Sequence, residues 1–258
     1  MDKKTILVIG AHMDDCEIGA GGLIAKAVKA GHRVVLVNVA SDYSTWQTTQ
    51  GREKEIRERL LKMAEEIGVE KRFLGYGYQA VPRDLDAIKR LAEVVLDVRP
   101  DITVFHNPYE PSPSDHATVG YIAERAVRDA TRLLNRYPVF SQEMYCYEVY
   151  PRISLFQPDV FIDISDVIAE VVQWPAVADR IYAESPHSKQ PISSWIRATV
   201  KLPPDEKTEI PLWVHGHMKY CTAAFRGCQC GARFAEAYMS LDKRPLGWGL
   251  LQQIARPQ

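Results

Sequence analysis

A histidine and two carboxylates crowd into one short stretch near the start of this 258-residue chain, Gly10-Ala11-His12-Met13-Asp14-Asp15, directly after an apolar run. His12 and Asp15, three residues apart in a tight loop, can turn toward one metal ion. Asp14 then points elsewhere and is free to act as a base. The same two acids also suit the capping of a following helix. A second pair, Asp115-His116, opens a helical stretch beyond a run that ends in Phe105-His106-Asn107. Alone, His116 reads as a solvent-exposed residue in a helix's first turn. Together His12, Asp15 and His116 make a set of three zinc ligands with a fourth position open for water, as hydrolytic zinc sites require. Zn²⁺ is therefore the expected cofactor, and it lowers the pKa of such a water to about 7. A third stretch, His215-Gly216-His217 followed by Cys221, Cys228 and Cys230, offers ligand types that also suit zinc. Its Cys-x-Cys pair is not the usual Cys-x-x-Cys knuckle and lacks a matching second half. Packed thiols and a lid loop over the site are the preferred reading of that segment.

These residues need a scaffold that delivers strand ends to one edge. Residues 5–9 read as a buried strand, 23–30 as a helix closed by Gly31, and 32–40 as a valine-rich strand. Ile56, Leu60, Met63 and Ile67 recur at helical spacing within 52–67. A strand at 71–74, a helix at 85–98, a strand at 102–105 and a long helix over 115–135 continue the alternation. Strands follow at 144–150 and 160–164, then a helix at 166–184 bent at Pro175, whose nitrogen cannot donate, and a last helix at 232–240. Such alternation argues for an α/β fold, a mostly parallel sheet with helices on both faces plus a C-terminal extension. With no repeat or clear linker, residues 1–258 read as a single domain, of which 185–258 form the extension or lid. Ligands in such sheets bind at the carboxyl ends of the strands, where both clusters fall.

Composition bounds the partners. A formal charge of −1 gives no global basic field for nucleic acid and no polybasic run for anionic lipid. The first apolar run is too short for a membrane span or a signal-peptide core. Five cysteines, an odd number in a chain this large, fit a reducing cytoplasm better than a disulfide scaffold. A cytoplasmic protein acting on a small molecule, with no nucleic-acid or membrane partner and assembling as a homo-oligomer, is the expectation.

The motifs resemble those of the LmbE/PIG-L family of zinc-dependent N-acetylglucosaminyl de-N-acetylases. Ala11-His12-Met13-Asp14-Asp15-Cys16-Glu17-Ile18-Gly19 is similar to the family's AHPDD element and the glutamate and glycine after it. Pro113-Ser114-Asp115-His116 resembles a degenerate HPDH element, His187-Ser188-Lys189-Gln190 an H-x-S-Q element, and Ala235-Glu236-Ala237-Tyr238 the closing AEAF element. The resemblance implies a Rossmann-like fold, metal ligands at His12, Asp15 and His116, a general base at Asp14, and an N-acetylglucosamine conjugate as substrate. Two positions depart. Met13 replaces a proline and alters loop stiffness. Pro113 stands where the family has a histidine that polarises the acetyl carbonyl and protonates the leaving amine; proline has no donor. His106, His187 or a protonated Asp115 are the substitutes. Arg52, in Arg52-Glu53-Lys54-Glu55, resembles a family R-x-x-E element and is a substrate-binding candidate, although a solvated helix face explains it nearly as well. Trp46, in the polar segment after the second strand, can stack on a sugar ring or anchor its loop.

Two other functions compete. Gly19-Ala20-Gly21-Gly22 suggests a nucleotide-binding enzyme, but the dinucleotide fingerprint begins in the turn directly after the first strand, here filled by His12 and two acids. The missing donor at Pro113 suggests a non-catalytic homologue that keeps the metal. Selection of the sugar's aglycone lies in the loops and at subunit contacts.

Overall fold

Strand β1, Thr5–Gly10, is buried on both sides, with Ile6 and Val8 entering one core and Leu7 and Ile9 the other. This is the period-two alternation of a strand covered on two faces. The computed structural model describes residues 2–46, 49–110, 113–136, 143–150, 156–182, 215–241 and 251. Around β1 lie β2 (Arg33–Asp42), β3 (Glu70–Gly77), β4 (Ile102–His106), β5 (Glu143–Tyr147), β6 (Val160–Asp163) and β7 (Ala235–Ser240), in the order β3-β2-β1-β4-β5-β7-β6. The first five pair in parallel, whereas β7 runs antiparallel to both β5 and β6. Chain order reverses between β1 and β4, so that their carboxyl ends open the crevice where doubly wound sheets bind ligands.

Helices cover both faces. On one face α1 (Asp15–Lys29), α5 (Ile168–Tyr182) and α6 (His215–Cys230) close a core with Ile6, Val8, Tyr147 and Ile162. On the other, α3 (Leu85–Val98) and α4 (Ser114–Leu133) pack on Leu7, Ile9, Phe105 and Cys146. Helix α2 (Glu53–Ile67) sets Ile56, Leu60 and Met63 against Ala178 and Ile181 of α5. Its end at Gly68, φ 87°, uses a left-handed turn that glycine adopts without strain. Asp84 caps α3 by accepting the Ala87 N–H. Among the described residues no helix is long and apolar enough to cross a membrane.

Two expected elements differ. Helix α1 begins at Asp15 rather than at residue 23, and it is kinked at Ala20. Glu236 repairs the kink from β7, accepting the Gly22 N–H at 2.6 Å and the Leu23 N–H at 2.9 Å. The glycine run therefore serves packing: a Cβ at Gly19 would sit 2.1 Å from the Tyr147 ring. The expected helix at 232–240 is instead strand β7, while residues 215–230, read as a lid loop, are helix α6. Helix-prone Ala235, Glu236 and Ala237 lie in a strand because pairing on both sides and burial override local preference. Residues 215–241 of the expected C-terminal extension thus add a helix and an internal strand to the same layered unit.

The Tyr147 ring cannot retreat from Gly19, because its hydroxyl donates to the Ile9 carbonyl at 2.8 Å. Gly19→Ala is expected to lower stability by about 1–3 kcal/mol, the usual cost of overpacking a core. Urea unfolding measures this; an unchanged midpoint would show that α1 shifts to make room.

Candidate metal centre

The tight turn after β1 is fixed before any metal is considered. Gly10 leaves no room for a Cβ, which would lie 2.8 Å from Asn38 Nδ2 and 2.9 Å from Cys16 Sγ. The Ala11 carbonyl accepts the Ala40 N–H at 2.8 Å, and Asn38 Nδ2 donates to the His12 carbonyl. Asp15 opens α1 with its carboxylate turned back, Oδ2 accepting the His12 N–H at 2.6 Å. Asp14 occupies the N-cap position yet makes no side-chain cap bond, so its carboxylate is left for other work.

The second half of the site comes from β4 and α4. His106 ends β4, and α4 presses on the loop after it: a Cβ at Gly120 would fall 2.5 Å from the His106 carbonyl oxygen. This close approach carries His116, in the first turn of α4, beside His12. Pro113 sits at the N-cap of α4 with φ −63° and accepts the His116 N–H at 3.1 Å. It starts the helix and offers no side-chain donor.

Three potential ligand atoms form a triangle. His12 Nδ1 is 3.4 Å from Asp15 Oδ2 and 3.2 Å from His116 Nε2, and His116 Nε2 is 3.4 Å from Asp15 Oδ2. Tetrahedral zinc with ligands about 2.0–2.1 Å away requires edges of about 3.3–3.4 Å. The donor set and its spacing therefore fit one tetrahedral ion with a fourth position left over. All three side chains are buried. Burial opposes the charge on His12, but Asp15 and hydrogen bonds to Asp115 and Asp15 outweigh it, raising the imidazole to about 9. Burial likewise opposes the charge on His116, which Asp15 and Glu110 nevertheless raise to about 10. Burial would raise Asp15, but the three surrounding histidines hold it well below its usual value.

Carboxylates behind the histidines set which nitrogen faces the centre. Asp115 Oδ2 lies 3.2 Å from His12 Nε2 and accepts the Gln79 N–H at 2.7 Å, while Oδ1 accepts from Val81 at 3.4 Å. Asp115 is thus an acceptor that turns His12 Nδ1 inward, an arrangement unlike the protonated donor considered for it. Glu110 Oε1 stands 3.0 Å from His116 Nδ1 and Oε2 3.6 Å from His106 Nδ1, contacts too poorly aligned to count as full hydrogen bonds. His106 and His116 stack with ring centroids 4.1 Å apart. His106 Nε2 meets Asp15 Oδ2 at 2.9 Å, and the ring is fully buried, so it braces Asp15 from behind rather than opening toward a substrate.

The remaining expected residues divide. Trp46 stacks on Tyr78 at 5.6 Å, Tyr78 lies 5.1 Å from His12, and the buried Tyr43 packs 5.0 Å from Tyr78; these rings form an aromatic wall beside the triangle. Arg52 instead ties α2 to α5, pairing with Glu55 and donating to the Ile181 carbonyl at 3.2 Å. His187 lies outside the described residues. Cys221, Cys228 and Cys230 are exposed rather than packed, and among the described residues no cluster of three metal-capable groups includes a cysteine. Sequence reasoning missed Glu110, whose only signal is its position one helical turn's spacing after His106. It also missed Asp179 on α5 as the partner of His215, which the sequence singles out only as part of a metal-capable segment: His215 Nδ1 meets Asp179 Oδ1 at 2.6 Å and stands 3.8 Å from Asp14 Oδ2.

Residues 7–127 match the family described as PIG-L, GlcNAc-PI de-N-acetylase. The diacetylchitobiose deacetylase of Thermococcus kodakarensis is 32% identical over 177 residues, 65% of this chain and 66% of that protein. The 4-oxalmesaconate hydratase of Pseudomonas putida is 25% identical over 182 residues, 64% of this chain and 69% of that protein. The structure of N,N'-diacetylchitobiose deacetylase from Pyrococcus horikoshii superposes with a TM-score of 0.67 at 22% identity, covering 95% of this chain and 88% of that one, which establishes the shared fold. Residues 7–127 thus carry a PIG-L family domain, and the fold and the motif positions agree with that match.

Proposed function

We propose that this protein is a metal-dependent deacetylase, served by zinc, that hydrolyses the acetamide of an N-acetylglucosamine-type sugar or conjugate. The observation that carries this reading is the buried triangle of His12, Asp15 and His116 with the uncapped carboxylate of Asp14 beside it. A divalent ion held there supplies a Lewis acid that polarises the acetyl carbonyl and acidifies water. The chain's own residues do the rest. Asp14 accepts a proton from the attacking water; burial raises its carboxyl pKa, with His215 opposing, which suits a base that must later give the proton up. Asp115 fixes the ring orientation of His12, Glu110 places its charge beside His116 Nδ1, and His106 holds Asp15 in place. The half-buried Trp46 and Tyr78, backed by the buried Tyr43, offer aromatic surface suited to the apolar side of a sugar ring.

The hydratase relative favours a second reading, addition of water to an unsaturated organic acid. Among the described residues the wall beside His12 is aromatic, which suits a neutral ring better than an acid anion. A non-catalytic role for the metal gives the Asp14 carboxylate, which caps no helix N–H, no use beyond its contact with His215. Incubating zinc-loaded protein with N,N'-diacetylchitobiose and other N-acetylglucosamine conjugates should release free amine and acetate in equal amounts. Hydration of 4-oxalmesaconate with no amine released would establish the alternative.

Asp14→Asn should keep the metal while lowering turnover by about two to four orders of magnitude, the usual loss for a general base; near-normal turnover at normal metal content removes Asp14 from the mechanism. Asp15→Ala should lose both, and elemental analysis of the purified variant checks it, since retained metal contradicts its role as ligand. Glu110→Gln should weaken metal affinity about 10–100-fold, the typical cost of losing a carboxylate behind a ligating histidine. Competition with a chelator measures this, and unchanged affinity would mean that His116 needs no such support.

A further inference from the structure

Expulsion of an amine from a tetrahedral intermediate needs a proton donor, because an amide anion is far too basic to leave unaided. Pro113 cannot serve, His106 is sealed behind Asp15, and Asp115 is committed as an acceptor. One imidazole at the site is built differently. His215, the first residue of α6, is gripped by Asp179 of α5: its backbone N–H and ring Nδ1 reach the two carboxylate oxygens at 3.3 and 2.6 Å. The ring stands beside Asp14, with Nδ1 3.8 Å from Oδ2. His12, His106 and His116 are buried, whereas a quarter of the His215 side chain is open. With Nδ1 committed to Asp179, Nε2 has no hydrogen-bond partner among the described residues.

We infer, resting on the deacetylase reading, that His215, positioned by Asp179, is the general acid that protonates the departing amine. As the water oxygen forms its bond to the acetyl carbon, one water proton passes to Asp14. The C–N bond then breaks with its electron pair on nitrogen, and Nε2–H of His215 supplies the proton that completes the free amine. Asp14 then gives up its proton to solvent and Nε2 regains one from solvent at the open part of the ring, so one water is consumed and acetic acid and amine are released. Asp–His pairs of this kind fix the ring's orientation and stabilise its charged form. Asp14, Asp179 and His215 are not a second metal site, because the 2.6 Å between Nδ1 and Oδ1 is too short for two ligands of one tetrahedral ion, which need about 3.3 Å.

Electrostatics agree with the geometry. Burial opposes the charge on His215, but the Asp179 bond and the negative charges of Asp14, Asp179 and Asp15 outweigh it and raise the imidazole to about 9. It is therefore cationic at neutral pH. Those carboxylates, on α5 and at the start of α1, are the charged groups facing it; Lys219, further along α6, is turned to Glu236.

Zinc-loaded wild type, His215→Gln and Asp179→Asn should be assayed on N,N'-diacetylchitobiose and on p-nitrophenyl acetate, whose leaving group departs without a proton. His215→Gln should bind zinc normally and lose about 10²–10⁴-fold on the acetamide while retaining ester hydrolysis. Asp179→Asn keeps the imidazole but removes the charge that raises its pKa. The alkaline limb of kcat/KM should then move to lower pH, as should the NMR titration of the His215 ring. Equal loss on both substrates in His215→Gln, or an unmoved limb and titration in Asp179→Asn, would overturn the assignment. A wild type that cleaves the ester but no acetamide would overturn the deacetylase reading and this inference with it.

Discussion

One carboxylate oxygen organises this protein. Asp15 Oδ2 accepts the His12 backbone N–H at 2.6 Å and His106 Nε2 at 2.9 Å, and it stands 3.4 Å from both His12 Nδ1 and His116 Nε2. Those partners come from the turn after β1, the end of β4 and the first turn of α4. A buried carboxylate is costly unless it is paired and hydrogen-bonded, so this one oxygen holds three segments in register. The parallel pairing of β1 with β4 brings the segments together, and the small residues at Gly10 and Gly120 let the backbones approach closely enough to meet it.

A second set of buried charges joins the far side of the molecule to that centre. Lys219 on α6 pairs with Glu236, which also bonds the kinked α1 through two backbone N–H groups. Arg226, further along α6, forks onto Glu148 just after β5. Removing one member of such a pair leaves an uncompensated charge, which is why buried pairs specify position strongly even where they add little net stability. Here they lock α6 against α1 and the sheet, and the helix start thereby presents His215 to Asp14. The Asp179–His215 side and the His12–His116 side of the site thus rest on separate buried networks that meet at the adjacent residues Asp14 and Asp15.

Much of this was legible in the sequence, for definable reasons. The parallel sheet followed from apolar runs alternating with helical stripes such as Ile56, Leu60 and Met63, because burial on one face leaves a periodic trace. The His12–Asp15 loop and His116 were readable because strand ends converge at a switch point whatever the detailed packing. Asp179 and His215 were not: they lie far apart in the chain and meet only once α5 and α6 pack, which no local pattern encodes. Strand β7 was misread because Ala235, Glu236 and Ala237 favour helices locally, whereas its place between β5 and β6 is a tertiary decision. The start of α1 was hidden by Gly19, Gly21 and Gly22, poor helix formers retained because Tyr147, Val171 and Ile164 crowd that face.

The account turns on the claim that a single ion sits among His12, Asp15 and His116. Two neighbouring groups of metal-capable side chains lie beside it, His106 with Glu110 and His116, and Asp14 with Asp179 and His215. Anomalous diffraction at the zinc absorption edge, from crystals of zinc-loaded protein, distinguishes all three directly. One strong peak bonded to His12 Nδ1, Asp15 and His116 Nε2, with Glu110, Asp14 and His215 uncoordinated, is the result the account predicts. A peak on the Glu110 side of His116, or between Asp14 and His215, would contradict it.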